Sequence, residues 1–171
     1  MEAIKSSAWE VIHSSKNDCW RTPPKLFGSL DNEFSFELDA AATEENKLCQ
    51  NYLSPLEDAL GRSWDAPGAV FCNPPYGRDV GKWVEKAWQE SRKRKEPIVL
   101  LVMACTDTVW WHDHAWKADE IRLLRGRVHF LKADGGKAAA APKGSAILVF
   151  RGHVPPDGWP GGPRIVSWNT K

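Results

Sequence analysis

Asn73-Pro74-Pro75-Tyr76 is the stretch of this chain whose residue types can do chemistry together. The Asn73 amide oxygen and the backbone carbonyl of Pro74 are hydrogen-bond acceptors, and Pro75 brings no N–H of its own to compete for them. Tyr76 adds an aromatic face. Two acceptors beside a stacking ring suit an exocyclic amine on a planar base. The lone pair of such an amine is delocalised into the ring, so the nitrogen is a poor nucleophile. Acceptors aimed at its two N–H bonds favour a more tetrahedral nitrogen that can take up a methyl group. Prolines fix the acceptors in advance, so little reorganisation is needed. No base must act first, because the nitrogen becomes acidic once it carries the methyl. Tyr76 would stack on a base that has left its duplex. The plain alternative is a Pro-rich turn and nothing more.

Several elements must position this loop. Val70-Phe71-Cys72 is an apolar run of strand length, and the prolines end it because they cannot donate to a ladder. Pro74 also pushes Asn73 towards extended backbone. The loop then sits at the carboxyl end of a central strand, where open α/β sheets keep their ligands. Phe34, Phe36 and Leu38 alternate like the buried face of a second strand, which delivers Asp39 at its carboxyl end. Ala40-Ala41-Ala42 follows, small enough for a ligand to approach the backbone, although the glycines of a nucleotide-binding turn are absent. A strand-end Asp is otherwise a turn former or helix cap. Upstream, Thr22 can N-cap a helix with Pro23 at its first position and Leu26, Phe27 and Leu30 on its apolar face. Thr43–Leu53 has the length of a short helix ended by Ser54-Pro55. Glu57 and Asp58 then offer a polar spot for an adenine or ribose contact, or simply a solvated helix start.

Further along, Val80–Lys95 has helical spacing, with Trp83, Val84, Ala87, Trp88 and Ser91 on one face. Its Arg92–Lys95 run reads as a solvated helix end or as a phosphate contact. Pro97–Ala104 is a continuous apolar run typical of a central parallel strand. Thr106–Thr108 predicts an N-capped helix carrying Val109, Trp110, Trp111 and Trp116. His112-Asp113-His114 is spaced wrongly for a metal on one helix face, so no metal site is expected. Glu120–Leu131 reads as a strand, a Gly-Arg break and a second extended piece. Ala133–Lys143 is rich in Gly, Ala and Lys and reads as a mobile, functional loop. Gly144–Phe150 is the last predicted strand, pairing antiparallel with its predecessor at one sheet edge. The Pro/Gly-rich tail offers no obvious core.

Composition sets the bounds. The chain has 171 residues and a formal net charge of +1, with 26% charged residues, which fits one globular domain and excludes a strongly basic or disordered chain. No apolar run reaches membrane length and no signal-peptide core stands at the N-terminus. The four cysteines form no C-x-x-C pair, which argues against zinc and for a reduced compartment; Cys72 and Cys105 are expected to be buried thiols. The ten tryptophans supply packing and some candidates for base stacking. The expected organisation is a flexible arm over 1–17, one domain over 18–152 and a tail over 153–171. Alternating strands and helices imply a mostly parallel sheet covered on both faces.

The motifs together resemble the phage-type DNA N6-adenine methyltransferase (Dam) family. The resemblance rests on Trp20-Arg21-Thr22-Pro23, Leu38-Asp39-Ala40-Ala41, Asn46 with Cys49 and Tyr52, Asp58-Ala59-Leu60, the Asn73–Tyr76 loop, and Gly126-Arg127 before Phe130. It spans roughly residues 17–152. It implies the class I, Rossmann-like fold of enzymes that use S-adenosyl-L-methionine (SAM), reduced in size, with antiparallel edge strands. It implies transfer of a methyl group from SAM to the exocyclic amine of a flipped adenine in DNA. Asn73, Pro74, Pro75 and Tyr76 would be catalytic. Thr22 and Pro23 would support the methionine end of SAM. Asp39 would bind its amino group or lie near its ribose, Asp58 would contact its adenine, and Trp20, Ala40, Ala41, Asn46, Ala59 and Asn73 would bind the cofactor with them. Arg125, Arg127, Lys132, Lys137 and Lys143 would meet double-stranded DNA, since no separate target-recognition domain is evident. The resemblance further implies a monomer or weak dimer in the cytoplasm of a bacterial host, encoded by a phage or prophage. Asn-Pro-Pro-Tyr loops also serve methylation of RNA bases and of protein glutamine amides, and a non-catalytic DNA-binding relative is a third alternative.

Overall fold

The computed structural model describes residues 20–132, 136–152 and 162–169. The expected arm over 1–17, Cys19, part of the 133–143 loop and most of the tail lie outside them.

Seven strands form one sheet. They are β1 (Phe36–Asp39), β2 (Asn51–Tyr52), β3 (Ala69–Cys72), β4 (Ile98–Met103), β5 (Glu120–Leu124), β8 (Ser145–Phe150) and β9 (Arg164–Trp168), in the order β2-β1-β3-β4-β8-β5-β9. Strands β6 (His129–Leu131) and β7 (Lys137–Ala140) form a separate antiparallel pair. The β1–β2, β1–β3, β3–β4 and β5–β9 pairings are parallel, and β8 alone runs against its neighbours β4 and β5. The carboxyl ends of β1, β3, β4, β5 and β9 therefore share one edge of the sheet.

Side-chain alternation explains the continuous apolar runs. Val70 and Cys72 of β3 and Ile98, Leu100 and Val102 of β4 point to one face, where Val80, Val84 and Ala87 of helix α2 (Val80–Ser91) and Trp111 of α3 (Val109–Asp113) cover them. Phe71, Val99 and Leu101 point to the other face, under Leu26 and Leu30 of α1 (Pro24–Phe34). Strands buried on both faces carry no polar positions to spare.

The structure revises several expectations. The β5–β8 antiparallel pairing forms as expected, but β8 lies inside the sheet rather than at its edge. The tail supplies the edge strand β9. Part of the 133–143 segment is strand β7. Phe34 closes helix α1 instead of opening a strand, because Ser35 takes a left-handed conformation (φ 54°) that ends the helix. Residues 43–53 are turns plus β2, not a helix. Local side-chain bonds win there: Asn46 Oδ1 accepts from the Thr43 N–H at 2.6 Å, Asp39 Oδ2 accepts from the Leu48 N–H, and the Leu53 N–H bonds to the Asp39 carbonyl in the sheet.

Helix α2 ends at Ser91, and Arg94 turns inward. Its guanidinium bonds the carbonyls of Trp64, Ala66 and Gly68, so it is neither a solvated end nor a phosphate ligand. Trp116 lies in a separate 3-10 turn beyond the short α3, and Thr108 Oγ1 bonds back to the Cys105 carbonyl rather than capping α3. Cys72 is buried as expected, whereas Cys105 is half-buried, 3.5 Å from Lys143 Nζ.

Candidate active site

Asn73 leaves the end of β3 and meets the segment before α1. Its Nδ2 donates to the Trp20 carbonyl at 2.8 Å and to Thr22 Oγ1 at 3.1 Å. The amide oxygen Oδ1 is buried with no partner among the described residues. Few buried polar atoms are left this way, because an unmade bond costs about 1–3 kcal/mol. Pro74 is buried and Pro75 half-buried beside it. Thr22 does not cap α1; Pro23 occupies that position and the cap has no side-chain bond. The Thr22 hydroxyl serves Asn73 instead.

Tyr76 folds back over the sheet. Its ring lies 6.0 Å from Trp20 and 5.8 Å, edge-on, from Phe130, and its hydroxyl reaches the Leu101 carbonyl at 3.4 Å. Burial pushes the phenol well above its ordinary range, so it stays neutral. Trp20, Tyr76 and Phe130 thus form an aromatic group that joins the loop to strand β6, with Trp20 and Phe130 5.1 Å apart.

Asp39 ends β1, parallel to β3, and is 3% exposed. The Ala41 and Leu48 N–H groups donate to its two oxygens at 3.3 and 3.2 Å. Burial raises its pKa to about 6 from an ordinary 3.8; the two N–H bonds pull the other way and lose.

One cleft at the carboxyl edge of the sheet is lined by Trp20, Arg21, Thr22, Asp39, Asn46, Leu48, Phe71, Asn73, Pro74 and Pro75. It gathers most of the sequence-predicted cofactor and catalytic residues. Arg21, Leu48 and Phe71 line it too and were not singled out; Arg21 and Phe71 stand inside quoted motifs, whereas Leu48 carries no sequence signal. Pro23, Ala40, Ala41, Asp58, Ala59 and Tyr76 do not line it. Ala40 and Ala59 are buried in the core. The Ala59 carbonyl accepts from the Trp64 indole at 2.7 Å. Asp58 is exposed with φ 48°, and the neighbouring Glu57 carboxylate is taken up by Ser54 and Arg62. A buried carboxylate and an orphaned amide oxygen in one cleft suit a ligand rich in N–H and O–H donors, which a methionine- and ribose-bearing cofactor is.

The expected DNA contacts come from the β5–β8 connection, which leaves and rejoins the sheet at this same edge. Arg125 and Arg127 are exposed on either side of Gly126, whose φ of 83° makes the turn into β6. Arg127 Nη1 bonds the Ala141 carbonyl at 3.0 Å, which ties it to the end of the hairpin. Lys132 and Lys143 are exposed, and Lys137 lies in β7. The hairpin is stitched to the cleft by a bridge between Arg21 and Leu131, with N···O distances of 3.1 and 2.9 Å. Among the described residues no three His, Cys, Asp or Glu side chains converge on a metal-sized site, and no helix is long and apolar enough to cross a membrane.

Comparison with known proteins places this architecture. The family model for DNA N-6-adenine-methyltransferase (Dam) matches residues 10–159. A DNA N-6-adenine-methyltransferase of Escherichia phage T1 is 32% identical over 152 residues, covering 78% of this chain and 63% of the relative. A protein of the same name from Haemophilus phage HP1 is 27% identical over 139 residues, covering 80% of this chain and 79% of the relative. The putative methyltransferase YfdM of Escherichia coli K12 is 35% identical over 65 residues, 34% of this chain and 71% of the relative. The chain thus spans less than two thirds of the T1 protein. The Rossmann-like sheet and a family match over most of the sequence agree: this chain belongs to the DNA N-6-adenine-methyltransferase (Dam) family.

Proposed function

We propose that this chain transfers a methyl group from SAM to the exocyclic amine of an adenine flipped out of double-stranded DNA. The observation that carries this reading is the buried Oδ1 of Asn73, unpaired among the described residues, beside the Pro74-Pro75 backbone. It is an acceptor held without a donor, which an adenine N–H would supply. SAM, when bound, supplies an electrophilic methyl group on a sulfonium.

The chain's residues do the rest. Trp20, Thr22, Asp39 and Asn46 hold the cofactor in the cleft, with Asp39 accepting from its ammonium or ribose hydroxyls. Pro23, Ala40, Ala41, Asp58 and Ala59 lie off the cleft wall, and their support is indirect. Asn73 Oδ1 and the Pro74 carbonyl orient the amine, Pro75 stiffens the loop, and the Tyr76 ring stacks on the base. Arg125, Arg127, Lys132, Lys137 and Lys143 hold the duplex from the β5–β8 connection. The working unit is the 18–152 domain completed by strand β9, acting as a monomer or weak dimer in the cytoplasm of a bacterial host of the phage or prophage that encodes it; the phage relatives support that setting.

The test is incubation with labelled SAM and adenine-containing DNA, followed by nucleoside analysis. N6-methyladenine is the expected product, Asn73→Ala abolishes it, and SAM affinity stays within a few-fold of the unmutated chain. Label found only in RNA or protein, or normal turnover by Asn73→Ala, overturns the reading.

A further inference from the structure

The Asn73 amide can take two orientations, and its function depends on which is adopted. Only Oδ1 can accept from an amine, so Nδ2 must be turned away from it. Its surroundings decide the orientation. The Trp20 carbonyl, 2.8 Å from Nδ2, has no hydrogen to give and can only accept. An amide rotated by half a turn would set two oxygens against each other at that distance and leave an N–H₂ buried without an acceptor. The Thr22 hydroxyl at 3.1 Å can donate or accept, and the carbonyl beside it settles that it accepts.

We infer that Thr22 Oγ1, with the Trp20 carbonyl, is a positioning device for Asn73: the pair locks the amide so that its oxygen is the free acceptor. This rests on the methyl-transfer reading of the loop and adds to it a role for Thr22 that is separate from cofactor support. The lock is itself held from outside. Trp20 packs on Phe130, and Arg21 pairs with Leu131 through both backbone bonds, so strand β6 sets where the carbonyl and hydroxyl stand. Thr22 is 5% exposed, which keeps water from replacing its hydroxyl as the partner of Nδ2. The device also explains the side-chain type: an ionised Asp at 73 would have no donor for the Trp20 carbonyl.

The decisive variants are Thr22→Val, which keeps the shape and removes the hydroxyl, and Thr22→Ser, which restores it. With SAM and DNA both saturating, Thr22→Val lowers kcat by about 10- to 100-fold, the range expected when a reacting group is misplaced by up to ~1 Å, and Thr22→Ser recovers most of it. A role limited to the cofactor would raise the KM for SAM and leave kcat intact at saturation, and that outcome overturns the inference. A second variant, Asn73→Asp, can satisfy the Trp20 carbonyl only when protonated. Its residual activity relative to the unmutated chain rises as pH falls, and a flat ratio overturns the inference. A third readout needs no activity. Urea midpoints of the ligand-free chain for Thr22→Val, Asn73→Ala and the double variant are non-additive if the two side chains are coupled and additive if they are not. Were the unmutated chain inactive on DNA, the function proposed above would fall, while this cycle would still accept or reject the lock.

Discussion

Asp39 is the group in the cleft whose charge can be read in a test tube. It is a carboxylate buried at the end of β1 with a pKa near 6, raised by burial against the pull of the Ala41 and Leu48 N–H groups. The folded chain then holds more protons than the unfolded chain between the ordinary value of 3.8 and about 6. Stability therefore falls as pH rises through that window and stays lower above it. At ~1.4 kcal/mol per pH unit, ionised Asp39 costs the folded chain about 3 kcal/mol at pH 8. Asp39→Asn removes the titration while keeping the volume. It also adds a penalty of about 1–3 kcal/mol, because one backbone N–H now faces an amide N–H₂, but that penalty is the same at every pH.

The measured quantity is the difference in unfolding free energy, Asp39→Asn minus unmutated chain, from urea titrations at pH 4 and pH 8. It should grow in favour of the variant by about 2.5 kcal/mol over that interval, since pH 4 already lies just above the ordinary 3.8. A difference that stays flat, or shrinks, refutes the burial argument. The ligand supplies the second half. If Asp39 accepts from the ammonium or ribose of SAM, binding requires the ionised form. SAM affinity of the unmutated chain then drops up to ~10-fold for each pH unit below 6, and Asp39→Asn binds more weakly with no such slope.

Two further perturbations follow from the same kind of reasoning. Glu90 is 2% exposed; burial alone would raise its pKa, but bonds from Lys86, Lys93 and the Trp64 N–H outweigh it and hold it at about 2. Its stabilisation is complete above the ordinary 4.5 and lost as pH falls towards 2, so Glu90→Gln should cost about 3 kcal/mol at pH 7 in urea unfolding and abolish that acid-induced loss; an unchanged acid limb would contradict the assignment. Arg125 and Lys132, both exposed on the β5–β8 connection, should each reduce the slope of log affinity for DNA against log salt by ~0.9 when changed to Ala. A slope that stays at the unmutated value would move the DNA to another face.

What the sequence made legible was local. The β3 strand and its loop could be read because Pro74 and Pro75 forbid continuation of a ladder, whatever surrounds them. Strand β4 could be read because a run such as Ile98–Val102 tolerates no solvent. Asp39 could be placed at a strand end by the alternation before it. What was not legible depended on partners far away in the chain. Thr22 beside Pro23 carries the pattern of a helix cap, and nothing nearby reveals that its hydroxyl is claimed by an amide 51 residues later. Residues 43–53 have helical length, but a helix there would leave Asp39 without the Leu48 N–H and β1 without its parallel neighbour β2. Strand β9 gave no signal because its flanks are Pro- and Gly-rich and its side chains largely exposed, so backbone pairing with β5 is what holds it.

The Thr22 case carries the most weight for function. A local reading assigns each residue one task, yet the cleft is built where the chain segments before α1, after β1 and after β3 converge, and each brings groups whose local bonds are incomplete. Asn73 completes its donors on the first segment and keeps its acceptor open; Asp39 fills both oxygens from the second and is still poised near neutrality. Both are stable compromises only if a ligand finishes them, Asp39 by a donor that ionises it and Asn73 by a donor for Oδ1. SAM affinity should therefore follow the protonation of Asp39, and methyl transfer should follow the orientation of the Asn73 amide.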